Sequence, residues 1–352
     1  MQFSYLAKRF MFPVLAVAVA LSSASVASAD EPLKVGIIGL DTSHVTAFSK
    51  VMNDPKATGD LAKMSVVAAF PGGSPDIASS RDRVEGFTNQ LRDMGIEIVD
   101  SIPALLEKVD VVMLESVDAR PHLEQVLPVF KAGKRVFIDK PLAASLVDCL
   151  AIQQLSKKYD VPWFSSSSLR FSPDIYRFRT GDPKVGAVLG ATVWSPCSLE
   201  PTHPDLFWYG VHGVETLYTI MGTGCTQVSR VSTADSDEAT GVWEGGRVGT
   251  FRGLRAGKKG YGGIVFGEKS IADAGTYAGY QPLVQRVASF FLTGEVPIDP
   301  NETIEMFAFM TAADESKKVD GAAVSIADVM KAAEAKVADR IAEVEKQIAA
   351  SK

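Results

Sequence analysis

The stretch that most constrains this chain is Val35 to His44, VGIIGLDTSH, an apolar run that ends in a short polar turn. A run of this kind, closed by glycine and followed by an amphipathic segment, reads as a buried strand leading into a helix. From Gly39 onward the turn approaches the G-x-G-x-x-G fingerprint with which a first βα turn holds the pyrophosphate of a dinucleotide. It departs from that pattern at two of the three glycines, where Asp41 and His44 stand. The second glycine normally lets backbone approach the phosphates, and the third lets helix pack closely on strand. Asp41 sets a carboxylate where two phosphate charges belong, at a helix N-terminus that otherwise draws anions. Asp41 or Ser43 also suits the N-cap of the following helix. His44, in its first turn, faces the same crevice.

The first half of the chain alternates apolar runs with amphipathic stretches, the pattern of βαβ units around a parallel sheet. Strands are expected near Leu33–Gly39, Ser65–Phe70, Val109–Glu115, Arg135–Asp139 and Pro162–Ser166, with helices between them. Leu123, Val126, Leu127 and Phe130 recur at helical spacing before Gly133, a suitable C-terminal stop. A ligand of such a sheet lies at the carboxyl ends of its strands. Asp41, Pro71 to Ser74, Ser116, Lys140 and the serine run Ser165 to Ser168 fall there, which makes Gly36, Gly39, Asp41, Ser43, His44, Ser74, Ser116 and Lys140 the candidate cofactor contacts. The second strand runs AAFPGGSPD and lacks the usual terminal carboxylate for a ribose. Asp76 is at a poor spacing, although the glycine-rich turn still suits a ribose phosphate.

The first 29 residues read as a cleavable leader. Lys8 and Arg9 precede an apolar run from Phe10 to Leu21, and small residues end in Ala27-Ser28-Ala29, with cleavage expected after Ala29. The run is short for a bilayer span, so the mature chain is expected to be exported, periplasmic or extracellular, and not membrane-spanning. Lysine and arginine number 36 against 42 aspartates and glutamates, and loss of Lys8 and Arg9 widens that gap. Nothing resembles a basic stripe for nucleic acid. Cys149, Cys197 and Cys225 are odd in number and lack metal-like spacing, so three buried thiols are expected.

From Asp110 to Pro173 the segments DVVMLESVDARPHLEQV, KAGKRVFIDKPLA and SSSLRFSP resemble the glucose-fructose oxidoreductase, inositol dehydrogenase and rhizopine-catabolism family, Gfo/Idh/MocA. Asp139-Lys140-Pro141 stands where that family has Glu-Lys-Pro, and Leu169-Arg170-Phe171 resembles its Arg-Arg-Phe segment. The resemblance implies NAD or NADP as cofactor and a sugar or polyol as substrate. It also implies that Lys140 places the reacting hydroxyl, where an ammonium stabilises developing alkoxide while an imidazole takes the proton. That imidazole is His212, in DLFWYGVHGVETLYTIMG, where Gly210 and His212 match the family's Asp-x-Gly-x-His-x-x-Asp pattern. Trp208 replaces the first aspartate and Glu215 the last. Lys140 and His212 are thus the candidate catalytic pair, and Arg170, Trp208 and Glu215 the candidate substrate contacts.

The second half has glycine-punctuated apolar segments such as GVWEGGRVGTFRGLR and YGGIVFG, which read as antiparallel strands with tight turns. Tyr261, Arg252 and Arg255 belong either to its substrate side or to its solvent face. His44, His203 and His212 have no recognised metal spacing, and no metal site is expected. A helix is expected over Thr303–Val319 and another from Ser325, where Ser325 with Asp328 resembles a capping box. The expected organisation is a leader (1–29), a Rossmann-type α/β domain with a parallel sheet (30–168), an α+β domain with a mostly antiparallel open sheet (169–324) and a C-terminal amphipathic helix (325–352). The family's second domain commonly packs on another subunit, which implies a homo-oligomer. Two functions are compatible with these residues. One is an NAD(P)-dependent oxidoreductase acting on a sugar or polyol hydroxyl; the other is an exported relative that binds or cleaves carbohydrate without free nicotinamide.

Overall fold

The computed structural model describes residues 31–350; the expected leader lies outside them. Six parallel strands form the first sheet: β1 (Leu33–Ile38), β2 (Met64–Phe70), β3 (Glu97–Ile98), β4 (Val111–Leu114), β5 (Val136–Asp139) and β6 (Trp163–Ser166). Their order is β3-β2-β1-β4-β5-β6. The helices between them are α1 (Ser43–Met52), α2 (Ala78–Arg81), α3 (Val84–Asp93), α4 (Ile102–Leu106), α5 (His122–Lys131) and α6 (Leu146–Tyr159). The strands read as continuous apolar runs because both faces are covered. Val112, Leu114, Val136 and Ile138 join one core, while Val111, Met113 and Phe137 join the other. Chain order reverses between β1 and β4, so the carboxyl ends of these two strands open a crevice.

The chain continues through α7 (Pro173–Thr180), β7 (Val188–Pro196), a wide helical turn over Leu206–Gly210 and α8 (Val211–Met221). It then forms β8 (Cys225–Ser232), β9 (Ser236–Trp243), β10 (Val248–Leu254), β11 (Gly262–Gly267) and β12 (Ile271–Asp273). Three helices follow, α9 (Gln281–Thr293), α10 (Pro300–Lys318) and α11 (Ile326–Ala350), with β13 (Val324–Ser325) before the last. The second sheet has the order β12-β11-β7-β10-β9-β8-β13 and is antiparallel except between β7 and β10. Residue 168 separates the two sheets, but the helices do not respect that boundary. Val284 and Val287 of α9 share a core with Phe48 of α1. Arg340 of α11 pairs with Asp148 of α6 and Glu124 of α5, so the long last helix lies along the first domain. All three cysteines are free and buried. Among the described residues, no helix is long and apolar enough to cross a membrane.

Candidate active site

Gly39 follows β1 with φ +87°, and a Cβ there would lie 2.2 Å from Ser116 Oγ and 2.4 Å from Ser116 N. Only glycine permits this approach of the β1 turn to the end of β4. Two residues later Asp41 is fully buried. Its Oδ2 accepts from Ser80 Oγ at 2.6 Å and its Oδ1 from the Val117 backbone N–H at 2.8 Å. The N-cap of α1 is neither Asp41 nor Ser43 but Thr42, whose hydroxyl accepts from His44 N. Burial raises the Asp41 carboxyl above its usual range, against the hydrogen bonds from Ser80 and Val117.

His44 turns toward the end of β5. Its Nδ1 lies 2.5 Å from Asp139 Oδ2, its ring stacks on Phe48 at 5.1 Å, and Tyr280 meets it edge-on at 4.9 Å. Burial pushes the Asp139 carboxyl up, but the neighbouring His44 and Lys140 hold it below its ordinary value. The same strand end presents Lys140, whose ammonium forms no ion pair among the described residues. On the opposite side, His212 in the first turn of α8 has Nδ1 2.7 Å from Ser167 Oγ. Burial, then the charges of Lys140 and His44, push the His212 imidazole well below its usual range.

His44, Lys140 and His212 line one cavity of about 310 Å³, together with Thr42, Ser43, Arg83, Ser168, Trp208, Tyr209, Tyr261, Tyr277 and Tyr280. A second cavity, about 530 Å³, lies beyond Asp41 and is lined by Gly72, Gly73, Ser74, Ser116, Asp118 and Arg120. Between the two, the Asp41 carboxylate ties the β1 turn to α2 and to the segment after β4.

Residues 33–166 match the model of an oxidoreductase family with an NAD-binding Rossmann fold. This first domain belongs to the Gfo/Idh/MocA family. Over 149 residues, 42% of this chain and 39% of the relative, the sequence is 26% identical to dehydrogenase aclE of Aspergillus oryzae. The fold matches scyllo-inositol dehydrogenase from Lactobacillus casei, solved with NAD(H) and scyllo-inositol, at a TM-score of 0.68. The two share 14% identity over 84% of this chain and 100% of that one. It also matches an oxidoreductase from Agrobacterium radiobacter, solved with NAD+, L-tartaric acid and magnesium, at 0.66, with 17% identity over 84% and 99%.

Set on this Gfo/Idh/MocA frame, the residues expected from sequence separate into groups. Lys140, His212, Ser43, His44 and Trp208 share the first cavity. Ser74 and Ser116 line the second, where their hydroxyls donate to Asp118 and Gln125. Gly36 is a correction: it lies inside β1, and a Cβ there would meet Val109 and Leu105 at 3.0–3.2 Å, so it serves packing rather than a ligand. Arg170 and Glu215 are also corrected as substrate contacts. Arg170 is buried between Glu215 and Glu302, each at 2.7 Å, and neither Arg170 nor Glu215 lines the cavity. Arg252 pairs with Glu238 and Arg255 with Asp237, away from the cavity that Tyr261 lines. Ser167 belongs to the serine run expected at the strand ends, but sequence spacing misses the tyrosine cluster Tyr209, Tyr277 and Tyr280; the signal available is the recurrence of tyrosine in the segments just before α8 and α9.

Proposed function

We propose that this chain acts on a sugar or polyol with its own acid–base side chains and takes no dinucleotide across the β1 turn. The observation that carries the reading is Asp41. A pyrophosphate in such a fold lies over this turn, and here a buried carboxylate fills the approach and would repel the phosphate charges. Moving it aside leaves the Val117 N–H and Ser80 hydroxyl without their acceptor, at about 1–3 kcal/mol for each buried group. The third fingerprint position is His44, which is committed to Asp139. The residues at this turn therefore do not fit the nicotinamide dinucleotide that the family fold implies.

The polyol half of the reading rests on the cavity lining. Trp208 and four tyrosines offer aromatic faces suited to the C–H side of a sugar ring, and Lys140, Ser168 and the two histidines offer polar contacts to its hydroxyls. The structural relative from L. casei, solved with scyllo-inositol, supports the same substrate class. In the chemistry that follows, the Lys140 ammonium stabilises an oxygen gaining negative charge, and the neutral His212 imidazole accepts a proton. Export on the residue 1–29 leader agrees with a site independent of free nicotinamide. Leu189, Val248, Phe266 and Ile271, exposed on strands of the second sheet, support a homo-oligomer, which light scattering on the purified protein tests.

A second reading, an NAD(P)-dependent dehydrogenase, is favoured by the meeting of Lys140 and His212 in one cavity and requires Asp41 to swing out. Calorimetric titration with NAD+, NADH, NADP+ and NADPH separates the two. The first reading expects no binding at millimolar cofactor, with NADH binding appearing in Asp41→Gly/His44→Gly. Micromolar binding by the unaltered protein overturns it.

A further inference from the structure

The two histidines of the cavity are held in the same way. His44 Nδ1 is fixed by Asp139 at 2.5 Å and His212 Nδ1 by Ser167 at 2.7 Å. Among the described residues, neither Nε2 bonds to protein. Each ring therefore keeps one nitrogen for a ligand, oriented through the other. The rings come from different walls: His44 from α1 on the first sheet, His212 from α8 beneath the second. Their partners differ in charge. Asp139 offers a carboxylate on which an imidazolium can rest, whereas Ser167 offers only a hydroxyl. Environments that separate two like groups mark one as proton donor and the other as acceptor. Lys140, adjacent to Asp139 in the chain, adds to the same cavity an ammonium without an ion pair among the described residues.

We propose that His44 is a second catalytic acid–base residue opposite His212, and that the pair epimerises a carbon next to the carbonyl of a keto-sugar or keto-polyol. This rests on the reading that the cavity takes such a substrate without a dinucleotide. One imidazole removes the proton from the carbon α to the carbonyl. The C–H electron pair becomes the C=C bond of an enolate whose oxygen lies at the Lys140 ammonium. The opposite imidazolium then delivers its proton to the other face of that carbon as the carbonyl re-forms. The substrate loses one proton and gains one, nothing is oxidised or reduced, and solvent returns each histidine to its starting state.

The test uses D-fructose, whose C3 epimer is D-psicose, and 2-keto-myo-inositol, each incubated with the protein in D2O. Proton NMR follows loss of the α C–H signal and appearance of the epimer, and saturation-transfer NMR reports binding. The expected result is enzyme-dependent exchange and epimer formation by the unaltered protein. In His44→Gln, epimer formation falls at least a hundredfold, while one epimer still exchanges its α-proton through His212 and the probes still bind. A merely structural role for His44 would lower exchange of both epimers together. Asp139→Asn makes the same separation if His44→Gln does not fold. Unchanged epimer formation in His44→Gln overturns the role of His44. Bound probes with no α-proton exchange overturn the epimerisation and leave the sugar reading standing. Failure of both probes to bind, or polyol-dependent reduction of NAD(P)+, overturns the reading beneath it.

Discussion

Glu215 Oε2 accepts the backbone N–H of Ser167 at 2.6 Å, and Ser167 in turn holds the ring of His212. Glu215 lies three residues beyond His212 on α8, so the two share one helix face. Its other oxygen accepts from Ser166 Oγ and from Arg170 Nε, so a single carboxylate fixes both the end of β6 and the guanidinium behind it. Glu215→Ala leaves Arg170 buried with only Glu302, and breaking a buried pair costs about 3–5 kcal/mol. Urea unfolding should show that loss. Glu215→Gln, which keeps the shape, should lose less and, on the proposed function, still weaken sugar binding as Ser167 loosens.

Gly39 answers a different constraint. Gly39→Ala combines a left-handed backbone with a Cβ driven to 2.4 Å from Ser116 N and 2.5 Å from Ser116 Cα, so backbone must shift to admit it. Strain of about 1–3 kcal/mol from the backbone alone, with the overlap added, should lower the melting temperature by many degrees or abolish soluble expression. Gly59→Ala, where no described residue beyond its chain neighbours comes within 4 Å of the added carbon, isolates the left-handed cost and should be much milder.

Much of the first sheet is legible in the sequence because its strands are short apolar runs between helical stretches. Five of them fall within two residues of expectation at either end. The two-residue β3 escapes, since its pairing with Ala68 and Ala69 is set by tertiary packing rather than by a run of its own. The parallel contact of β7 with β10 is equally invisible, because nothing in either strand states its partner. At the site, Lys140 and His212 are the pair that the family resemblance points to, and they line one cavity. The His44 and Asp139 pair is not, because it joins residues 95 positions apart. Arg170 and Glu215 mislead for a related reason: a charged residue near a site reads as a ligand contact, and only the fold shows that each neutralises the other.

Glu115 gives a pH-dependent prediction. It follows β4 and is fully buried, and among the described residues neither carboxylate oxygen has a hydrogen-bond partner. Burial, and then the charge of Asp139, raise it well above its ordinary value of 4.5, with Lys140 opposing. The folded state therefore keeps a proton that the unfolded chain releases, and stability falls as pH rises from about 4.5 toward the raised value. Glu115→Gln removes this dependence. Its stability relative to the unaltered protein should increase from pH 5 to pH 8, and the pH-dependent part of the difference should vanish below pH 4. A constant difference across that range in thermal melts would show that Glu115 titrates alike in both states.

Lys140 and His212 give the last. The His212 imidazole is depressed by burial first and by the Lys140 charge second, so it stays neutral as pH falls past its ordinary value of 6.5. Any step in which it accepts a proton should keep its rate through that region and fail only at lower pH. Lys140→Met removes the second cause and leaves the first, so the acid limb should move upward in pH while remaining below 6.5. The plateau should fall as well, by about 10²–10³-fold if the ammonium supplies stabilisation of the kind measured for a single oxyanion donor. Histidine NMR across the same range follows the imidazole directly, without a substrate. An unmoved His212 titration in Lys140→Met would separate the two residues and leave Lys140 only its proposed contact with the substrate oxygen.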